Sequence, residues 1–393
     1  MIYISIIISI LFFIYFFDYK KNRKYRLEIY IFYLILFVLL TGFRFKLGGD
    51  SINYELEYPD FPKFTELSEY DYSQSRYNRG FYFLVAFTKI FGSSFINFQL
   101  IQAIIVNSLF FSFFYKNTNN IFFALLLYFI AIYFYFTMEI LREGIAVSIF
   151  LLAWIPFLNK NYLKYYFICL IAILFHPSAI FTLFIPIIYN SSLKKFFSLN
   201  KFFLIGIPLF YCICYITYRN LFDYINLLEN QDLDNYTSFY SDRDDGKELN
   251  ALNPFYILKF IFKYILFNLF AIYILTKSTN SKTIPIEFKN KLEFLVCMYI
   301  YIVILTNFIS IFNRFNNYLL PFSILLYSLV IFDKIPFKRI YFKLSFSLWM
   351  IIFIPYIYSI INIYFQPINN SETLSIQRYY PYKNILFSNI EFI

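Results

Sequence analysis

Long apolar runs separated by short polar clusters recur along the whole chain. Crossing a hydrocarbon core of ~30 Å takes about 20 helical residues. Runs that approach this length lie near residues 2–17, 29–43, 95–115, 121–138, 143–158, 202–218, 255–275, 293–312, 315–332 and 344–365. Hydrophobic residues make up 60% of the sequence and charged residues 15%, too few to cover a soluble surface. The pattern therefore predicts an all-α, polytopic integral membrane protein.

Two segments depart from the simple pattern. Residues 165–190 form one apolar run that His176-Pro177 interrupts, with basic residues at both ends. Proline disfavours helix in the residue before it, and basic loops share one side of a membrane, so we predict two crossings joined by a turn at His176. Residues 80–91 are too short for a span and are predicted to form a re-entrant or interfacial helix. This gives about 12 transmembrane helices in a single transmembrane domain, 1–393.

The positions of the lysines predict the orientation in the membrane. The net charge is +10, but the lysines lie mostly in short loops between apolar runs. We interpret them as topology signals and contacts with membrane lipid, not as a nucleic-acid site. The other side receives two long non-cytoplasmic loops, 44–79 and the acidic 219–254, and a tail, 366–393. The predicted cytoplasmic loops are 18–28, 116–120, 159–164, 191–200, 276–292 and 333–343.

Several ionisable residues fall at the predicted non-cytoplasmic ends of spans. Charged groups at membrane depth are costly, so residues of this kind are candidates for function. The positive-inside rule disfavours arginine on this side, so the arginines are expected to face an anion, either protein carboxylates or a ligand. The set consists of Arg44, Asp50, Arg79, Glu139, Arg142, Glu143, His176 and Arg314.

Local spacing suggests how some of these residues are arranged. Gly48-Gly49 permits a tight turn with positive φ that would fold Asp50 back towards Arg44; the alternative is an ordinary loop with a solvated aspartate. On one helix, Glu139 would lie beside both Arg142 and Glu143. One interpretation is a local salt bridge within the helix. The other is that one carboxylate pairs with Arg142 and the second binds a sugar hydroxyl or another arginine.

Two further positions have both a structural and a functional interpretation. His176 is the only histidine. It is either a packed, hydrogen-bonded core residue or a proton-transfer group at a helix break that lines a cavity. Arg314 lies in Asn313-Arg314-Phe315-Asn316-Asn317-Tyr318, which is predicted to turn the chain between two spans. This segment is either a polar hairpin or part of the same anion site.

The residue types indicate a chemistry. The planar fork of arginine binds phosphate bidentately, and several arginines at the outer leaflet match a lipid diphosphate. A histidine or carboxylate nearby could deprotonate an attacking hydroxyl. The set favours glycosyl transfer from a polyprenyl diphosphate, with the acidic, tyrosine-rich loops as sugar platforms. No cluster of metal-binding carboxylates accompanies it, so we predict no metal ion and no cofactor.

Five segments in order along the chain resemble one family. They are Arg44 to Gly48-Gly49-Asp50 and Tyr54, Arg142 with Gly144-Ile145-Ala146, Phe175-His176-Pro177-Ser178-Ala179, Arg314 to Tyr318, and Tyr380-Pro381-Tyr382-Lys383-Asn384. Together they resemble the EpsG-type polysaccharide polymerases of the Wzy functional class. The resemblance implies a GT-C-like glycosyltransferase of the bacterial inner membrane that polymerises O-antigen, capsule or exopolysaccharide repeat units. Its donor and acceptor would both be undecaprenyl-diphosphate-linked oligosaccharides, and a chain-length regulator is a further candidate partner.

The resemblance also implies roles for individual residues. His176 and Asp50 would be catalytic, and Arg44, Arg142 and Arg314 would bind the diphosphate. Glu143 stands where a neutral residue is expected after the arginine. The residues predicted to bind sugar or to support the site are Tyr54, Arg79, Glu139, Glu143, Tyr318 and Tyr382.

Other classes of membrane protein share part of this pattern. A flippase for lipid-linked oligosaccharide would have a similar number of spans and a similar basic profile. It would also be expected to carry charges near the bilayer midplane and an internal repeat, whereas the charges here lie at one side. A ligase and an O-acyltransferase remain alternatives, because no feature of the sequence identifies the acceptor of the transferred group.

Overall fold

A computed structural model of the chain describes residues 2–72, 77–227, 261–277, 284–306, 308 and 312–331. Over these ranges the chain forms helices and turns and no β-strand, which confirms the all-α prediction there. The described residues divide into two compact units, one that ends at Leu183 and one that begins at Phe184. Each unit is described by itself.

The first unit contains nine α-helices in its described residues. Two of them continue as π-helical turns, α1 over Ile14–Tyr19 and α6 over Phe129–Tyr133 and Tyr135–Glu139. A 3₁₀ turn, Leu151–Ala153, joins α7 to α8. The helices are α1 Ile2–Phe13, α2 Arg26–Gly42, α3 Gly49–Glu57, α4 Arg79–Lys89, α5 Phe95–Asn117, α6 Ile121–Tyr128, α7 Leu141–Phe150, α8 Trp154–Leu158 and α9 Tyr162–Phe175.

The second unit contains five α-helices among its described residues: α10 Phe184–Asn190, α11 Lys201–Leu227, α12 Phe267–Lys277, α13 Ile286–Thr306 and α14 Asn313–Val330. Helix α11 contains the predicted span 202–218, where its apolar part is Phe203–Thr217, and continues beyond the span to Leu227. Residues 219–227 contain no glycine or proline, so the helix extends past the point where the apolar run stops. The rest of the acidic loop, the predicted span 344–365 and the tail lie outside the described residues.

Within the part of the chain that the structure describes, three helical segments are long and apolar enough to cross a bilayer. They are Ile2–Tyr19, Phe95–Asn117 and Leu141–Leu158. Shorter apolar helices follow at Ile121–Tyr133, Tyr162–Phe175, Pro177–Asn190, Phe203–Thr217 and Tyr264–Thr276. These helices fit a membrane protein, whereas about 12 crossings and the GT-C-like architecture stay predictions.

The chain reverses direction at His176. Helix α9 ends at Phe175, and a 3₁₀ segment, Pro177–Leu183, follows. The Tyr165 hydroxyl donates to the Thr182 carbonyl at 2.7 Å. On a continuous helix these two residues would be about 25 Å apart, so the second segment folds back along the first. The predicted turn at His176 is confirmed.

Polar contacts in the first unit bring two of the predicted cytoplasmic loops, 18–28 and 116–120, together with α8 at one end. Arg26 donates to the Asn119 carbonyl and lies 3.9 Å from the buried carboxylate of Asp18. The Trp154 indole donates to the side-chain oxygen of Asn117 at 2.9 Å. The helices that run from these contacts therefore present their other ends, which carry the candidate site residues, at the opposite end of the unit.

Candidate functional site

Arg44 follows the C-terminus of α2 and is completely buried. Its guanidinium donates to the Thr41 carbonyl at 2.6 Å and to the Ser51 hydroxyl at 3.0 Å. The first bond satisfies a carbonyl in the last turn of α2, where intrahelical donors are missing. The second fixes the beginning of α3. Through these two hydrogen bonds Arg44 stabilises the loop between α2 and α3. Its contact with phosphate stays a prediction.

Gly48 has the positive φ predicted for the Gly-Gly turn, at +93°. A Cβ at this position would collide with the carbonyl of Met138, so only glycine fits both the backbone conformation and the space. This close approach places the beginning of α3 next to the end of the segment that carries Glu139. Asp50 lies in the first turn of α3, where a carboxylate complements the helix dipole. Its side chain is outside the described residues, so its predicted proximity to Arg44 stays a prediction.

The helix breaks at Ile140, between Glu139 and Arg142. The preceding segment ends as the π-helical turn Tyr135–Glu139, and α7 begins at Leu141. Ile140, with φ −82° and ψ 61°, is outside the helical region. The prediction that Glu139 and Arg142 occupy consecutive turns of one helix is therefore wrong. Glu139 remains buried, as does Glu143 in the first turn of α7.

Gly144 explains why the break is tight. A Cβ on Gly144 would collide with the backbone carbonyl of Phe136, so the two segments on either side of Ile140 approach as closely as backbones can. Gln102 on α5 also donates to this Phe136 carbonyl, at 3.2 Å. The glycine four residues after Ile140 is the sequence signal that could have indicated a close reversal.

Aromatic side chains from the first long loop and from α4 surround Arg142. Its Nε donates to the Tyr54 hydroxyl at 2.9 Å, and its Cζ lies 4.6 Å from the ring centroid of Tyr77 and 5.9 Å from that of Phe81. Stacking of this kind stabilises a cation by about 0.5–2 kcal/mol, depending on how far it is desolvated. Arg142 is itself only partly buried. The rings therefore hold the guanidinium in one orientation at the edge of the packed region.

The sequence did not identify Tyr77 and Phe81 as neighbours of Arg142. Tyr77 lies at the end of the predicted loop 44–79. Phe81 lies in the first turn of α4, within the segment 80–91 predicted to be re-entrant or interfacial. The available signal was a dense aromatic stretch around Arg79, but such stretches occur throughout this chain.

The N-terminus of α4 lies against the C-terminus of α9. The Asn78 side chain donates to the Ile173 carbonyl at 3.1 Å, and a Cβ on Gly80 would lie 2.7 Å from the Leu174 carbonyl oxygen. Arg79, between these two contacts, is exposed, with its guanidinium 5.5 Å from the Tyr72 ring centroid. The fold thus places the backbone of Arg79 at the C-terminus of α9, directly before His176.

The hydrogen bonds of His176 define its tautomer. The ring is buried, and the Ser178 backbone N–H donates to Nδ1 at 3.3 Å. A backbone amide can only donate, so Nδ1 is an acceptor and the Ser178 hydroxyl, 2.6 Å away, donates to it as well. The neutral ring therefore carries its proton on Nε2. In this geometry Nε2 is a hydrogen-bond donor, whereas a general base needs an acceptor there.

Three candidate arginines occupy the first turns of helices. Arg79 is the first residue of α4, Arg142 the second of α7 and Arg314 the second of α14. A cation is disfavoured at this end of a helix, and a bound anion would offset the cost because it also attracts the unpaired amides of the first turn. In the second unit Arg314 is exposed and Tyr318 is fully buried. Tyr382 lies outside the described residues.

The substitution Gly144→Ala is expected to lower the thermal stability of the purified protein. Its methyl group would meet a backbone carbonyl, and overpacking of this kind costs about 1–3 kcal/mol. Gly206→Ala is the matched control, because its Cβ would meet only the tip of the Tyr301 side chain. The measurement is the unfolding temperature in detergent. An equal decrease in both variants would contradict the tight reversal at Ile140.

The EpsG family model matches residues 29–384, a range that begins in α2 and includes every candidate residue from Arg44 to Tyr382. No curated protein and no solved structure matches the chain significantly. The family resemblance seen in the five sequence segments is therefore confirmed over most of the chain. The chain belongs to the EpsG family, the family of Wzy-type polysaccharide polymerases.

Proposed function

We propose that this protein is a membrane glycosyltransferase that polymerises lipid-linked oligosaccharide repeat units of O-antigen, capsule or exopolysaccharide. It transfers the growing glycan from undecaprenyl diphosphate to the non-reducing end of an incoming undecaprenyl-diphosphate-linked repeat unit. The reaction takes place at the periplasmic or outer face of the bacterial plasma membrane. Family membership and the apolar helices support a polymerase-type membrane protein. The observation that carries the specific reaction is the setting of Arg142.

Arg142 combines three properties that suit a lipid diphosphate. It is partly exposed at a helix N-terminus, its guanidinium is oriented by Tyr54 and Tyr77, and two buried glutamates lie close to it in the chain. The bond to Tyr54 uses one of the five N–H donors of the guanidinium. In the proposal Arg142 binds the diphosphate bidentately, and Arg79 of the same unit supplies further positive charge. The role of Arg314 in binding the diphosphate stays a prediction.

The proposed reaction is a displacement at the anomeric carbon of the donor sugar. The acceptor hydroxyl oxygen attacks the anomeric carbon of the donor sugar, and the bond from that carbon to the phosphate oxygen breaks. Undecaprenyl diphosphate leaves with the electron pair, and the arginines stabilise its charge. The hydroxyl proton passes to a carboxylate among Asp50, Glu139 and Glu143.

His176 takes a different part in this scheme from the one that the sequence indicated. With its proton on Nε2, the ring donates a hydrogen bond, and the proposed acceptor is an oxygen of the departing diphosphate. The position of the α9 end beside Arg79 supports this role. A chain-length regulator remains a proposed partner.

Deleting the gene is expected to leave surface glycan that carries a single repeat unit, instead of no glycan. A polymerase acts after the first repeat unit has crossed the membrane, so its loss stops elongation alone. Electrophoresis of the surface glycan measures this result, and complementation with the wild-type gene is expected to restore the ladder. If repeat units instead accumulated on the cytoplasmic leaflet, the protein would act as a flippase and the proposal would be wrong.

A further inference from the structure

A small cavity lies beside Arg142 in the first unit. Its volume is about 150 Å³, and its lining combines aromatic rings with carboxylates: Glu57, Asp60, Phe61, Tyr70, Tyr77 and Tyr82. Tyr77 belongs both to this lining and to the aromatic group that stacks on the Arg142 guanidinium. The cavity and the proposed diphosphate-binding arginine therefore both contact Tyr77.

The aromatic walls are packed together and tilted with respect to one another. The ring centroid of Phe61 is 5.3 Å from that of Tyr77 and 5.3 Å from that of Tyr82, and the Tyr70 and Tyr82 centroids are 5.1 Å apart. Phe61 and Tyr82 are buried. Aromatic faces with this packing offer a fixed surface for the apolar C–H face of a sugar ring.

The polar part of the lining has a defined charge. The Tyr77 hydroxyl donates to the Glu57 carboxylate, and Asp60 is exposed. A carboxylate can accept several hydrogen bonds, so it can receive one from a ligand hydroxyl or ammonium group. A hydrogen bond with Tyr82 raises the pKa of Tyr70 to about 12, so this phenol keeps its proton. Lys89, whose Nζ donates to the Pro59 and Phe61 carbonyls, and Arg142 are the nearby cations, but neither is part of the lining. Among the described residues the lining itself carries only the two carboxylates, which disfavour an acidic ligand.

The volume limits the size of the ligand. A cavity of about 150 Å³ accommodates a benzene ring, and pockets for drug-sized ligands have about 300–1,000 Å³. The cavity is open on one side, so it has room for one six-membered ring, and the other sugars of an oligosaccharide would lie outside it.

We propose that this cavity binds one neutral or amino-bearing sugar ring of the lipid-linked substrate, next to the diphosphate on Arg142. The identity of the substrate rests on the proposed function, whereas the preference for such a ring rests on the cavity. The ring belongs either to the donor, whose sugar is attached to the diphosphate, or to the acceptor terminus, which must reach the same anomeric carbon.

The first test measures binding without turnover. Full-length protein in detergent is mixed with glucose, glucosamine or glucuronate, and saturation-transfer NMR records which probe contacts it. Glucose and glucosamine are expected to bind roughly 5- to 10-fold more tightly than glucuronate. The exposed position of Asp60 makes Asp60→Asn safe for folding, and this variant is expected to accept glucuronate and to bind glucosamine less tightly.

The matched control is Glu69→Gln, which removes one carboxylate from an exposed position in the same loop but outside the cavity lining. It is expected to behave as the wild type with all three probes. Identical probe preferences in Asp60→Asn and Glu69→Gln would overturn the sugar site. Tighter binding of tetramethylammonium than of every sugar would also overturn it, in favour of a cation cage.

The second test assigns the ring to the donor or the acceptor. Steady-state polymerisation is measured with a lipid-linked donor and a soluble acceptor oligosaccharide. A rise in KM for the acceptor alone in Asp60→Asn assigns the cavity to the acceptor, and a rise for the donor alone assigns it to the donor. Unchanged constants for both in an active enzyme would overturn the site and leave the polymerase intact. If the wild type forms no polymer but retains the probe preferences, the proposed function fails and the cavity's ligand preference stands.

Discussion

Replacing Arg142 with lysine is expected to reduce polymer formation by about 100-fold or more. Lysine keeps the positive charge but loses the planar fork that binds a diphosphate bidentately and stacks on an aromatic ring. Tyr77 lies 4.6 Å from the guanidinium carbon and Tyr54 accepts from its Nε, so both contacts depend on the shape of arginine. The measurement is the rate of polymer formation from purified lipid-linked repeat units, with the unfolding temperature recorded for each variant.

A matched control for this variant is Arg23→Lys, at an exposed position of the basic cluster between α1 and α2. It makes the same chemical change at the other end of the first unit and is expected to leave the rate unchanged. Tyr54→Phe removes only the hydroxyl that accepts from Arg142, so a smaller loss of about 5- to 10-fold is expected. A full-length ladder from Arg142→Lys would place the diphosphate elsewhere and remove the main support for the proposed reaction.

The sequence predicted features that depend on short stretches of chain. Apolar runs set the positions of the helices, since each has to match the thickness of a bilayer. The turn at His176 was predictable because Pro177 disfavours helix in the residue before it, and the bond from Tyr165 to Thr182 confirms it. The positive φ at Gly48 was predictable for the same local reason.

Features that depend on packing between distant segments were not predictable in this way. The break at Ile140 accompanies the close approach of Gly144 to Phe136. The periodicity of apolar residues in a helix does not predict this contact. The contact of Tyr77 with Arg142 joins residues far apart in sequence. Arg44 and Arg142 are the same residue type at the same predicted depth, yet one is fully buried and the other is partly exposed. Only the tertiary structure distinguishes Arg44, which stabilises a loop, from Arg142, which is exposed enough to contact a ligand.

The cavity shows the same limitation. The sequence indicated that the loop 44–79 is rich in tyrosine and could serve as a sugar platform. It did not indicate that Glu57 and Asp60 would share a cavity with Tyr82 of α4, because α4 was assigned to the membrane interface and the loop to the solvent. The packing of the loop on α4 decides which of many tyrosines form a binding surface.

Substitutions of His176 are expected to show whether its side chain acts as a hydrogen-bond donor or as a general base. His176→Ala should lower the rate of polymerisation by about 100-fold, the effect of losing one hydrogen bond to developing charge. His176→Gln should retain activity within roughly 10-fold of the wild type, because the glutamine amide places an N–H donor near the position of Nε2. If His176 were the general base, glutamine would be as inactive as alanine, since an amide does not accept the proton of a hydroxyl.

The pH dependence of the rate provides an independent measurement. A base must be unprotonated, so a base at His176 would give the wild type an acidic limb that His176→Gln lacks. A donor at Nε2 keeps its proton in both the neutral and the charged ring. The ratio of the wild-type rate to the His176→Gln rate is therefore expected to stay constant with pH. Ser178→Ala is the companion variant: it removes the hydroxyl donated to Nδ1 but keeps the backbone N–H that defines the tautomer, and it should have a smaller effect than alanine at His176. If the ratio of the wild-type rate to the His176→Gln rate changed with pH through the acidic limb, His176 would be the general base. The carboxylates near Arg142 would then not have this role.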